Sequence, residues 1–246
     1  MNLQEKTLVI LVASIIAVTL FITVFVSGIL LTSYSNLEKG YVEKDLQQVL
    51  NKVHDDEASL SAIVSDWGPW DDTYNFVNGN EPDYVTSNLV PETYANLRVN
   101  FIIITNREGD IAYAGAYDTG TKTMVPVPGD LLLQIRRENP LLNMSYPRGA
   151  TTGIMMLSGQ PLMVASRPII HTDFSGTPQG VVIMGRYLDQ EEINRLSTLD
   201  QVSLTITPAA DPLLPSEATK NLHTEPGSEP EFITPINSSY IGGFAL

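Results

Sequence analysis

From Thr7 to Leu37 the sequence carries no charged residue, and the stretch TLVILVASIIAVTLFITVFVSGILL, Thr7 to Leu31, is almost wholly apolar. No other feature restricts the chain so strongly. A helix that crosses a hydrocarbon layer of roughly 30 Å needs about 20 such residues. At about 1.5 Å of rise per residue this run reaches about 37 Å, enough to cross with tilt. A cleavable leader has a shorter apolar region, about 7–15 residues, followed by a small-residue cleavage site. Here Ser27-Gly28 is the only small pair near the far end. The sequence therefore predicts a short tail at 1–6 and a retained membrane helix at 7–32, with the lipid bilayer as its partner.

Charge does not orient that helix. Lys6 and the α-amino group precede it, while Lys39, Lys44 and Lys52 follow it, so the positive-inside rule does not hold the N-terminus in the cytoplasm. A large trailing domain behind a short tail is translocated largely regardless of charge, which puts the body outside the cytoplasm. The chain has 14 Lys and Arg against 28 Asp and Glu, a formal net charge of −14. Nucleic acid is excluded as a partner, because binding it needs clustered cations. The absence of cysteine excludes a disulfide framework.

Beyond the membrane run, NLEKGYVEKDLQQVLNKVHDDEASLSAIVSDW reads as one long helix. Leu46, Val53, Leu60 and Trp67 recur every seven residues, and Val49, Leu50, Ile63 and Val64 fill the same stripe. The expectation is a stalk that pairs with a second copy through this seam, or a helix that buries the seam in its own domain. His54 to Glu57 reads as a solvated face of that helix.

DWGPWDDTYNF interrupts it. Pro69 forces Gly68 out of helical geometry and removes a backbone donor, so the helix should end near Trp67 and restart at Pro69. Asp66, Gly68, Pro69, Asp71 and Asp72 then have structural work as a corner. The two later acids fall in a first turn, where the helix dipole favours negative charge. Asn78-Gly79 supplies the stop.

After Arg98 the pattern becomes β. RVNFIIIT and DIAYAGAY flank the turn NREGD, and GATTGIMMLSG, QPLMVASRPII and PQGVVIMGRYL follow a short helix PGDLLLQIRREN. Asp189 with Glu192 three residues on marks a capped helix start, and QVSLTIT reads as one more strand. The connections are mostly too short for parallel crossovers. The fold class is therefore α+β, with a roughly five-stranded antiparallel sheet and flanking helices on one face, a PAS/Cache-like lobe. Residues 208–235 are rich in Pro, Glu and Ser and read as an exposed loop. Residues 236–246 read as the start of a further strand in a truncated chain.

DWGPWDDTYNFVNGN, with YVTSNLV, LRVNFIIITNREGDIAYAGAY, ASRPII and GVVIMGRYLDQEEINRL, resembles the CHASE-type extracellular sensory domain of the fourth subclass, over roughly residues 36–207. The W-x-x-W-D-D-x-Y-x-F and G-R-Y-L-D runs are its specific parts. The resemblance implies a sensor outside the cell, between two membrane helices, feeding a cytoplasmic histidine kinase or cyclase in a prokaryote. It implies an unknown small ligand or extracytoplasmic partner, and no cofactor. No second membrane helix and no kinase or cyclase signature occurs in this sequence, so the chain is expected to sense rather than to catalyse.

The candidate binding residues are Trp67, Trp70, Tyr74, Tyr113, Arg167 and Tyr187. The tryptophans and Tyr74 suit an aromatic cage or simple core burial. Arg167 and Arg186 lie among apolar strand residues and need partners. One expectation is an ion pair with an acid such as Asp71 or Asp189, Arg186 with Asp189 above all. The other is a clamp on an anionic ligand. Asp66, Asp71 and Asp72 form no matched acid and base, so catalysis is not expected. His54, His171 and His223 share no ligand spacing, and no metal site is expected. A pilin-like or envelope protein is the rival reading, favoured by Glu5 near the start of an apolar helix but lacking the processing site before it.

Overall fold

The computed structural model describes residues 2–135, 139–196, 204–206, 214, 232–235 and 241–244. Helix α1 runs from Leu3 to Trp67. The chain divides into two units, Met1–Gln48 with Ala209–Leu246, and Val49–Pro208.

In the first unit, every large apolar side chain described between Leu8 and Leu30 is exposed. The most apolar window of α1 has a mean hydropathy of 3.0 and is not buried by the rest of the chain, so the helix is long and apolar enough to cross a membrane. Its hydroxyls turn back onto the helix. Thr7 donates to the Leu3 carbonyl at 2.9 Å, Thr19 to Ile15 and Thr23 to Thr19 at 2.8 Å, and Thr32 to Gly28 at 2.9 Å. Such bonds satisfy a hydroxyl where there is no water. Strands β7 (Phe232–Pro235) and β8 (Ile241–Phe244) pair antiparallel. Part of the segment expected to be loop is therefore strand.

The second unit is a six-stranded antiparallel sheet of order β3-β2-β1-β6-β5-β4. Its strands are β1 (Phe101–Asn106), β2 (Ile111–Asp118), β3 (Thr123–Val125), β4 (Thr151–Leu157), β5 (Gln160–Ile169) and β6 (Gly180–Tyr187). Without the three-residue edge strand β3, the chain order across the sheet is second, first, fifth, fourth, third, the PAS-like arrangement. The turn between β4 and β5 uses Ser158 and Gly159, both at positive φ, as a two-residue hairpin requires.

Side chains alternate across a strand, and both faces here are covered. Ile102, Ile104, Met163, Ala165, Val182 and Met184 meet Leu60 and Val64 of α1, Tyr84 of α3 (Tyr84–Asn88) and Tyr94 of α4 (Pro91–Leu97). Phe101, Ile103, Leu162, Val164, Val181 and Ile183 meet Leu131 of α5 (Gly129–Gln134) and Leu141 and Leu142 of a 3-10 turn. Helices thus flank both faces, not one as expected. Burial of Leu60 and Val64 contributes about 1.5–3 kcal/mol each.

The seam of α1 is consumed inside the chain. Leu60 and Val64 are fully buried, and Val53, Ile63 and Trp67 pack on the same core. This part of the heptad stripe is buried in the chain's own domain, the second of the two expectations for it. Most of the expected strand at 201–207 lies outside the described residues, and Leu204–Ile206 has no regular structure.

Candidate functional site

The corner forms where the sequence puts it, with one shift. Helix α1 ends at Trp67, and Gly68 N–H donates to the Val64 carbonyl at 2.9 Å. Helix α2 (Asp71–Val77) starts two residues after Pro69, because Trp70 is extended, at φ −126° and ψ 126°. Asp71 and Asp72 occupy its first turn, and Asp66 is exposed. Gly79, at φ +77°, follows the helix as its stop.

This corner is laced to the end of β5. Ile170 N–H donates to the Gly68 carbonyl at 3.2 Å. Asp71 Oδ1 pairs with His171 Nδ1 at 2.8 Å and accepts from Thr172 N–H at 3.2 Å. These bonds, His171 first and Thr172 second, hold the Asp71 carboxyl below its usual value. The Tyr74 ring lies 3.7 Å from that of His171. Arg167 Nη1 donates to Ser65 Oγ at 3.0 Å. Gly68 lets the Arg167 stem pass, since a Cβ there would lie 2.5 Å from Arg167 Cγ and 2.8 Å from the Pro168 carbonyl.

The aromatics pack on one another. Trp67 meets Trp70 edge-on at 5.6 Å, Trp70 lies 5.9 Å from Tyr84, and Phe76 stacks on Tyr84 at 4.7 Å. The Tyr84 hydroxyl shares a hydrogen bond of 2.8 Å with buried Thr73. This is a wall of the core rather than an open cage. Tyr113 is elsewhere, its hydroxyl 2.8 Å from that of Tyr94. Tyr187 packs with the core of the opposite face, where it borders a cavity of about 280 Å³ lined also by Asn100, Tyr117, Asp118, Gln160 and Asp189. The cavity lining includes no Lys or Arg. The Thr121 and Gly120 amides hold the Asp118 carboxyl below its usual value.

The two arginines part company. Arg186 does not pair with Asp189, which caps α6 (Gln190–Leu196) by accepting from the Glu191 and Glu192 amides at 3.0 Å each. Arg186 Nη1 instead lies 3.8 Å from Asp56 of α1, and its Nε donates to the Arg98 carbonyl at 2.5 Å. Arg98 ends α4 in the left-handed conformation, so Arg186 satisfies a carbonyl that the helix end leaves orphaned. Asp56 also pairs with Arg195, Arg195 with Glu192 at 2.7 Å, and Glu192 with Arg98 at 2.5 Å. Burial favours protonation of Glu192, but Arg195 and Arg98 outweigh it and hold the carboxyl below its usual value.

Asp56, Arg98, Glu192 and Arg195 were not singled out by the sequence for this role. His54 to Glu57 is not wholly a solvated face, since Asp56 is 9% exposed. The signal was present, because Asp56 is seven residues after Val49 and four before Leu60, on the buried stripe. His171 was likewise read only as a poor zinc ligand.

A curated relative, the methanogenesis regulatory histidine kinase FilI of Methanothrix harundinacea (strain 6Ac), is 31% identical over 221 residues, 90% of this chain and 25% of the relative. The chain thus spans a quarter of the length of that relative. Among solved structures, the extracellular domain of vpHK1S-Z8 aligns over 65% of this chain and 60% of its own, at 16% identity and a TM-score of 0.45. The periplasmic sensory domain of the Campylobacter jejuni chemoreceptor Tlp1 aligns over 66% and 62%, at 11% identity and a TM-score of 0.36. The CHASE4 domain matches residues 53–207, which hold the sheet, the corner and both buried arginines, and the chain belongs to the CHASE4 family of sensor domains.

Proposed function

We propose that this chain is the membrane-anchored sensory region of a signal-transduction receptor, with its lobe outside the cytoplasm, and that it transmits through α1. The carrying observation is that one helix holds both parts of the task. In its first half every large apolar side chain described between Leu8 and Leu30 is exposed, and Thr19 and Thr23 fold their hydroxyls back onto helix carbonyls. Its last turns supply Leu60 and Val64 to the lobe core and Asp56 to the ion cluster. A ligand or partner that binds two packings of α1 unequally shifts their populations by that difference in affinity. FilI, a histidine kinase by name, supports an output of that kind in a longer chain.

The chain contains no cysteine, so one introduced thiol reports topology. With Thr121→Cys on an exposed loop, a membrane-impermeant maleimide should label intact cells, and the protein should stay in the membrane after an alkaline carbonate wash. Labelling only after lysis overturns the outside placement, and release by the wash overturns the anchor.

A further inference from the structure

We propose that Arg167 is the receptor for a carboxylate ligand at the junction of α1 and β5. Met163 and Ala165 belong to the helix-side core, and Arg167, on the same alternation of β5, faces α1 with 8% exposure. Among the described residues its one hydrogen bond is to Ser65 Oγ. Its Nε is covered and has no hydrogen-bond partner. Among the described residues no carboxylate lies within ion-pair distance of it. Of the corner acids, Asp71 bonds to His171 and Thr172, and Asp66 is exposed.

Burying a guanidinium without a counter-ion is costly, and a hydroxyl dipole offsets only part of the cost. An apolar side chain of similar volume fills such a place more cheaply. The chain has the alternative in hand one strand away, where Arg186 has Asp56 and two backbone carbonyls. The unsatisfied charge at Arg167 is therefore a binding capacity held in reserve.

Geometry gives the class of ligand. A guanidinium offers five N–H donors in a planar fork. Ser65 takes one donor on Nη1, which leaves the edge made by Nε and the other terminal nitrogen. That edge carries two parallel donors, Nε being closed over in the unliganded chain, and their spacing matches the two oxygens of a carboxylate. The neighbouring residues are Ser65 and Gly68 at the end of α1, so an occupant touches the last turn of the helix that carries the membrane span. The link from binding to signalling rests on the function proposed above, whereas the binding itself does not.

The test is thermal unfolding of the purified full chain in detergent micelles. The probes are acetate, succinate, L-glutamate and inorganic phosphate, with sodium chloride at matched ionic strength as the reference. At least one carboxylate should raise the melting temperature of the wild type by about 3–6 °C at tenfold over its Kd. Arg167→Met should melt at or above the unliganded wild type and show no response. Arg167→Lys, which keeps the charge and loses the fork, should bind at least tenfold more weakly. The proposal is overturned if no carboxylate acts, if phosphate alone acts, if Arg167→Met responds like the wild type, or if Arg167→Lys binds as tightly. A large fall in the melting point of unliganded Arg167→Met also overturns it, since the guanidinium is then structural. Failure here leaves the labelling experiment untouched, and failure there leaves the binding result standing.

Discussion

Arg186 of β6 and Arg167 of β5 both face α1 from adjacent strands, at 4% and 8% exposure, yet the first sits in a cluster of Asp56, Glu192, Arg195 and Arg98 while the second has one hydroxyl. Burial penalises the charged form of both. At Arg186, opposite charges and backbone carbonyls answer that penalty, and four elements are joined as a result. At Arg167 the penalty stands. The same residue type at the same depth thus serves structure in one place and, on the proposal above, recognition in the other, and what separates them is the partner on α1.

Substitutions test that contrast. The largest effect is expected from Asp56→Ala, which leaves Arg186 buried beside Arg195 and Arg98 without an acid on α1. Removing one partner of a buried pair costs about 3–5 kcal/mol, readable as a lowered midpoint in chemical denaturation of the full chain. A loss below about 1 kcal/mol would make the cluster a surface ornament and erase the contrast. Gly68→Ala comes next. Its methyl must displace the Arg167 stem and the Pro168 carbonyl, an overpacking cost of about 1–3 kcal/mol. The double variant with Arg167→Ala should recover only part of this, because the carbonyl remains. Arg167→Met should fall within about 1 kcal/mol of the wild type or above it. An Arg186→Met variant that proved equally mild would show the two sites to be alike.

The smallest effect is a pH dependence. Asp71 and Glu192 are held below their ordinary values of 3.8 and 4.5. Their contributions are complete above those values and are lost as pH falls through the lower folded values. Acid unfolding of Glu192→Gln should therefore be flatter than that of the wild type below about pH 4.5, and Asp71→Asn should change the profile less, since its pair is exposed. Equal profiles for all three chains would remove both carboxylates from the account.

The sequence displayed the membrane run, the long helix, five core strands and the corner, because each is announced by local chemistry. Pro69 ends a helix wherever the chain goes, and Asp189 caps one by reaching two residues on. Helix α4 was readable and overlooked, since Pro91 sits at its first position. What the sequence hid depends on distant pairing. Asp56 meets Arg195 across 139 residues, and no local pattern names that partner. Strand β3 has three residues and exists only because β2 offers an edge. The solitude of Arg167 was hidden for the same reason, as a missing partner has no spacing to read.

Gly68 has no side chain in the one place where the methylenes of Arg167 pass. A methyl at position 68 would press on that stem and on the Pro168 carbonyl together, so shortening residue 167 relieves only part of the clash. The coupling runs one way, since a side chain at the bend strains the stem of the cation, whereas losing the cation asks nothing of the bend.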